Sequence, residues 1–303
     1  LIGRGGRGCW VFTPNDPVPA AAPIVVFFHG WSGVNPVNYG GWLVHLVRRG
    51  HIVLYPVYQA SPLAPFDLMM RNAIKGIRAG LQHLEEQGPV RPVTERCVFA
   101  GHSLGGLIAS KCAALESNRL LPSPKVLMPV QPGWGRRFSV SLSDLSRVPS
   151  AALALVLVGE EDRHLPFEQP LAVYTALTSI PEENRNFIVV RSDRHGSPPL
   201  IADHSAPLSE RADVGPRLTP EATLRRARGF AEMGLRHAQA DALAFYGHWK
   251  LLDAAMAAAF DGRHREAALG NTPTQRFMGV WSDGVPVKEL LVSTRPDGRI
   301  TGS

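Results

Sequence analysis

No stretch of this 303-residue chain approaches the roughly 20 consecutive apolar residues that a membrane-spanning helix requires. Its longest apolar runs, such as AALALVLVG at 151–159, end at turn residues, the habit of buried strands. A transmembrane segment is therefore not expected. Cysteine is scarce, and the 3 present, Cys9, Cys97 and Cys112, cannot all pair within the chain. Cys97 falls in an apolar run and Cys112 in a helical one, which suits small buried thiols. Signatures of bound groups are missing too: there is no G-x-x-x-x-G-K-[ST] phosphate loop, no H-E-x-x-H helix and no Cys/His set at zinc spacing. Neither a metal nor a cofactor is expected.

Charge does not gather in one place. The net charge of +6 would suit an anionic partner, but the basic residues are scattered. The densest group, Arg225, Arg226, Arg228 and Arg236, has Glu221 and Glu232 beside it and reads as a solvated face. GRGGRG at 3–8 is too short for an RNA-binding tract and reads as a flexible terminus. A nucleic-acid partner is not expected. The chain starts at Leu1, and LIGRGGRGCW is too polar for a signal peptide, so a preceding segment is expected to have been removed. That leaves the compartment open between export and cytoplasm.

What is present is an alternation. Val-, Ile-, Leu- and Phe-rich runs at 23–30, 51–58, 96–101, 125–131, 152–159 and 187–192 read as strands. Amphipathic segments at 38–49, 66–86, 104–116 and 166–178 read as the helices between them. In the first, Trp42, Leu43, Leu46 and Val47 recur at helical spacing and Gly50 supplies a stop. Continuously apolar strands alternating with helices predict a doubly wound α/β fold, a mostly parallel sheet covered by helices on both faces. GRGCWVFTPND should add antiparallel edge strands. After residue 195 the texture turns to Pro, Gly and Ser. A helix opens at Thr219-Pro220-Glu221, and a second runs over 239–260 with Phe245, Trp249, Leu252 and Met256 on one face. Asp283-Gly284 between apolar runs predicts a hairpin. We divide the chain into an α/β core over 1–200 and a helical and hairpin extension over 201–303 packed on it.

The chemistry centres on CVFAGHSLGG at 97–106. Gly101-His102-Ser103-Leu104-Gly105 follows a strand and opens a helix, the setting in which G-x-S-x-G makes a nucleophile elbow. Small residues at both glycines allow the sharp turn, and the Leu104 amide, lacking an intrahelical partner, points toward Ser103. A serine hydroxyl needs a base to take its proton and a third group to orient that base. Asp162 lies just past one strand end and His195 just past the next, giving the order Ser, Asp, His. Glu160, Glu161 and Asp193 are rival acids. His164 and His204 are rival bases, the first too near the acid in sequence and the second deeper in irregular chain. The loop His29-Gly30-Trp31 should supply the other half of an oxyanion hole through the Trp31 amide, opposite Leu104. His102 reads as a packing residue beside the nucleophile.

Together these residues resemble the α/β-hydrolase superfamily over about 20–197, in its serine esterase and lipase branch, with dienelactone-hydrolase-like, chlorophyllase-like and cutinase-like enzymes. The resemblance implies the fold, a Ser103, Asp162 and His195 triad and an ester substrate. His-Gly-Trp departs from the His-Gly-Gly-Gly of the hormone-sensitive-lipase branch, and the serine elbow departs from the aspartate of dehalogenases and epoxide hydrolases. Ligands of such sheets bind beyond the C-terminal strand ends. Trp31, Tyr58, His102 and Trp134 are the candidate substrate-binding residues there, with Arg136 and Arg137 nearby. The expected activity is serine carboxylic-ester hydrolysis of a small-molecule, lipid or polymeric ester. Acyl transfer, thioester cleavage or peptide cleavage by the same residues stays open, as does a non-catalytic binding role.

Overall fold

A computed structural model describes residues 1–3, 5–115, 121–135, 140–216 and 239–296. The Arg225–Arg236 cluster, the helix expected from Thr219, and Arg136 and Arg137 lie outside the described residues.

In chain order the main elements are β1 (Gly8–Phe12), β2 (Ala21–Phe28), α1 (Gly40–Arg48), β3 (Ile52–Val57), α2 (Phe66–Gln87), β4 (Arg91–His102), α3 (Leu104–Ala113), β5 (Pro124–Val130), β6 (Leu153–Gly159), α4 (Glu168–Ala176), β7 (Arg185–Val190), α5 (Lys250–Asp261) and β8 (Leu291–Ser293). The strands form one sheet in the order β1-β3-β2-β4-β5-β6-β7-β8. β1 and β8 run antiparallel on the two edges, and the six strands between them are parallel. The expected doubly wound architecture is what forms.

Side-chain alternation along the central strands builds two cores. Ile24, Val26 and Phe28 of β2 face one side, with Met69, Ile77, Ile108 and Tyr174 of the helices. Val25 and Phe27 face the other, with Trp42, Leu43 and Leu46 of α1 and with Leu251, Leu252 and Met256 of α5. Burial on both faces is why these strands read as continuous apolar runs. Residues after 200 thus contribute to one core, and β8 pairs with β7 in the sheet.

Two local readings need correction. The N-terminal glycine-rich stretch is tied down: Ile2 and Cys9 exchange two backbone hydrogen bonds of 2.8 Å, with a short 3-10 turn between them. The stretch before α5 is a π-helix, Leu243–Trp249, which shifts the helical register. Phe245 consequently turns outward while Leu252 and Met256 stay buried, so the expected single apolar face is broken. At 280–286 a bridge between Val280 and Pro286 closes a tight turn, with Gly284 at φ 86°. The three cysteines are free and buried. No helix of the described residues is long and apolar enough to cross a membrane.

Strand order reverses between β2 and β4, because the chain leaves β2 toward β3 and then returns across it. The crevice beyond their C-terminal ends is where an open α/β sheet leaves room for a ligand. β2 delivers the His29–Gly33 loop there and β4 delivers Ser103.

Candidate active site

Ser103 follows β4 with φ 56° and ψ −126°, a strained conformation for a residue with a side chain. The packing explains why glycines flank it. A Cβ on Gly105 would lie 2.2 Å from the Phe28 carbonyl oxygen, and one on Gly101 would lie 2.5 Å from that of Gly105. The Ser103 amide donates to Val130 O at 2.9 Å, fixing the turn to the end of β5.

The group that meets Ser103 is His204. Ser103 Oγ donates to His204 Nε2 at 3.0 Å, and His204 Nδ1 donates to Asp162 Oδ2 at 2.8 Å. The other carboxylate oxygen of Asp162 accepts the amides of His164 at 2.9 Å and Leu165 at 3.2 Å. An acceptor-only carboxylate on Nδ1 leaves Nε2 as the lone-pair nitrogen, the tautomer needed to accept a serine proton. The side chains of His204 and Asp162 are only 7% and 8% exposed.

His195 is not part of this cluster. Its side chain is 41% exposed and pairs with Asp283 at 2.7 Å. The chain explains the difference. Past β7, Asp193 and Leu200 exchange two backbone hydrogen bonds of 2.8 Å, closing off an outward excursion that carries His195. The chain then returns over the strand ends, where Ala202 O accepts the Glu161 amide at 3.0 Å and the Ala202 amide donates to Ser192 Oγ at 2.9 Å. Apolar Leu200 and buried Ala202 are the sequence signal of that return, two residues before His204. The rival acids are engaged elsewhere: Glu160 accepts the Ser192 amide, Glu161 pairs with Arg194 at 2.6 Å, and Asp193 accepts the His195 and Lys288 amides.

Trp31 and Leu104 both line the cavity onto which Ser103 opens, a space of about 440 Å³. Its walls include Leu63, Trp134, His164 and Leu165, and Trp134 packs against Phe66 with ring centroids 5.5 Å apart. Among the described residues, neither the Trp31 nor the Leu104 amide has a hydrogen-bond acceptor. The loop on both sides of Trp31 is pinned: the Gly30 amide donates to Tyr39 OH at 2.9 Å, the Ser32 amide to Gln59 Oε1 at 2.6 Å, and His29 Nδ1 to Gly30 O at 2.7 Å.

Two candidate substrate contacts lie behind the wall rather than in it. Tyr58 is fully buried, stacked on His29 at 4.0 Å, and its hydroxyl donates to His29 O. It is not among the residues that line the cavity. His102 is 4% exposed and bonds Tyr39 OH at 2.9 Å and Gln131 Oε1 at 3.1 Å. It does not line the cavity, because Ser103 turns at the elbow while His102 still belongs to β4.

The His204 ring lies between two other imidazoles, 4.7 Å from His102 and 4.6 Å from His164. Burial pushes the His102 ring well below the ordinary histidine range, with the nearby His204 acting the same way. Burial also lowers His164, and His29 is pushed down to about 4 by burial alone against the opposing Gly30 hydrogen bond. Gln169, unremarked in the sequence, clamps the wall: its Oε1 accepts the Trp134 amide at 3.0 Å and its Nε2 donates to Gly135 O at 2.7 Å. Among the described residues there is no group of three His, Cys, Asp or Glu side chains that could hold a metal.

A sequence model described as alpha/beta hydrolase fold matches residues 25–182. The chain is also similar to a kynurenine formamidase of Danio rerio, 25% identical over 118 residues, which span 38% of this chain and 38% of that protein.

Proposed function

The chain belongs to the α/β-hydrolase family, and on that premise we propose that it is a serine carboxylic-ester hydrolase working through an acyl-enzyme. Ser103 Oγ attacks the ester carbonyl carbon while His204 Nε2 takes its proton, with Asp162 orienting the imidazole and stabilising its charged form. The Trp31 and Leu104 amides receive the negative charge on the carbonyl oxygen. The alcohol leaves with the proton held by His204. Water, deprotonated by the same nitrogen, then attacks the acyl carbon and releases the acid and free Ser103.

The observation that carries this reading is the unbroken chain Ser103 Oγ, His204, Asp162 at 3.0 and 2.8 Å. The apolar and aromatic cavity beside it supports an acyl or aryl group on the substrate. Native protein should be labelled at Ser103 by a fluorophosphonate and should hydrolyse short p-nitrophenyl esters. Ser103→Ala should lower that hydrolysis at least about a thousandfold; a variant retaining most activity overturns the assignment.

A second reading is favoured by the relative whose name places its action on a formamide. The same groups would then cleave a small N-acyl amide, with His204 protonating the departing nitrogen. Comparing kcat/KM on matched aryl esters and N-formyl or N-acetyl anilides separates the two, since an amide substrate requires anilide cleavage to compete with ester cleavage.

A further inference from the structure

Behind the Ser103 elbow runs a second file of buried polar groups that the proposed reaction does not use. The Gly30 amide donates to Tyr39 OH at 2.9 Å, Tyr39 OH lies 2.9 Å from His102 Nδ1, His102 Nε2 lies 3.1 Å from Gln131 Oε1, and Gln131 Nε2 donates to Asp203 O at 2.8 Å. Tyr39, His102 and Gln131 are each at most 4% exposed.

Proton counting orders the chain. Tyr39 OH accepts from Gly30, so its single proton goes to His102 Nδ1. His102 therefore carries its own proton on Nε2 and gives it to the Gln131 carbonyl oxygen. That orientation points the Gln131 amide nitrogen at the Asp203 carbonyl. Each of the four contacts then has one donor and one acceptor, an arrangement that requires a neutral His102. Burial holds the ring neutral.

The ends of the file matter more than its middle. Gly30 precedes Trp31, whose amide is one proposed oxyanion donor, and Asp203 precedes His204, the proposed base. His102 is bonded covalently to Ser103. Gln131 sits at the end of β5 with φ 47°, and a side chain on Gly159 would meet its Nε2 at 2.6 Å, so the amide is held from both sides.

We infer that Tyr39, His102 and Gln131 are positioning residues that fix the oxyanion loop and the base loop in one register about Ser103. The inference rests on the serine-hydrolase reading. A network of this kind acts as a unit, because each bond fixes the orientation of the group that makes the next. Tyr39 and Gln131 each bond to His102 and not to each other, so purely local packing roles would give independent losses.

The test uses the full chain and the second-order rate of Ser103 labelling by a fluorophosphonate, with thermal midpoints measured in parallel. Tyr39→Phe and Gln131→Leu should each slow labelling about tenfold, and the double variant should be little slower than either. His102→Leu should match them. His102→Gln, which can offer an acceptor to Tyr39 and a donor to Gln131, should recover most of the rate. Losses that multiply in the double variant, or a His102→Gln rate no better than His102→Leu, overturn the inference. Should a variant fold poorly, the His102→Gln and His102→Leu pair compared at equal thermal midpoint decides. Failure of the unaltered protein to label at Ser103 removes the hydrolase reading itself, an outcome separate from additive variants in a protein that labels.

Discussion

Ser103 and His204 are separated by 101 residues in sequence and by 3.0 Å between Oγ and Nε2. The intervening chain supplies β5, β6 and β7, and each strand end adds one part of the cluster: Gln131 after β5, Asp162 after β6, and His204 beyond β7. A parallel sheet whose strands all end on one side makes such convergence a consequence of topology.

The contrast between His204 and His195 is the sharpest mutational test. His204→Ala should reduce ester hydrolysis at least about a thousandfold, since the proton of Ser103 then has no acceptor. His195→Ala removes an exposed contact with Asp283, remote from Ser103, and should leave kcat/KM within about twofold. Initial rates on p-nitrophenyl acetate decide it, and a large loss confined to His195→Ala would reverse the assignment.

Much of this arrangement was legible in the residues. The six central strands were visible because burial on both faces makes them continuously apolar, and the elbow because its glycines are sterically required. The base was not. A strand-end rule places the histidine on the first loop after β7, and here that loop begins with an excursion closed between Asp193 and Leu200. Only hydrogen bonds of the folded chain, the Ala202 amide donating to Ser192 Oγ and the Glu161 amide to Ala202 O, reveal where the chain comes back. Tyr58 was misplaced for a similar reason. A tyrosine at a strand end faces the cleft or the core according to the pleat and to neighbours such as His29, which sequence spacing does not show.

Gly105→Ala tests the elbow. The added Cβ would sit 2.2 Å from Phe28 O and 2.3 Å from His29 O, both backbone atoms of the central strand or its end. Relief requires moving α3 away from β2, and overpacking of this kind costs about 1–3 kcal/mol or more. The variant should show a lowered urea midpoint and lose fluorophosphonate labelling. Wild-type labelling in Gly105→Ala would mean the turn is looser than the packing indicates.

Gln169 should control substrate fit without touching the reacting groups. Its two hydrogen bonds to the Trp134 amide and Gly135 carbonyl hold the wall that carries the indole. Gln169→Ala should raise KM for aryl esters several-fold with kcat nearly unchanged, the pattern of lost uniform binding. Gln169→Glu, which keeps the acceptor and loses the donor, should fall between. A drop in kcat at constant KM would instead tie this loop to the chemical step.

Acid sensitivity follows from the buried histidines. Burial pushes His29 and His248 down to about 4, and His102 moves the same way. With folded-state values below the unfolded value of about 6.5, the unfolded chain binds more protons than the native one as pH falls. Stability is therefore full above about pH 6.5 and declines as pH drops from there toward about 4. Each histidine contributes a slope approaching roughly 1.4 kcal/mol per pH unit across that window. Unfolding free energies from urea titrations between pH 7.5 and 4.5 should fall steadily below 6.5. His248→Phe, at a site packed against Trp42 with ring centroids 5.8 Å apart, should remove up to one proton's worth of that slope. An unfolding free energy independent of pH between 6.5 and 4.5 would show that these rings take up protons in the native protein as they do in the unfolded chain.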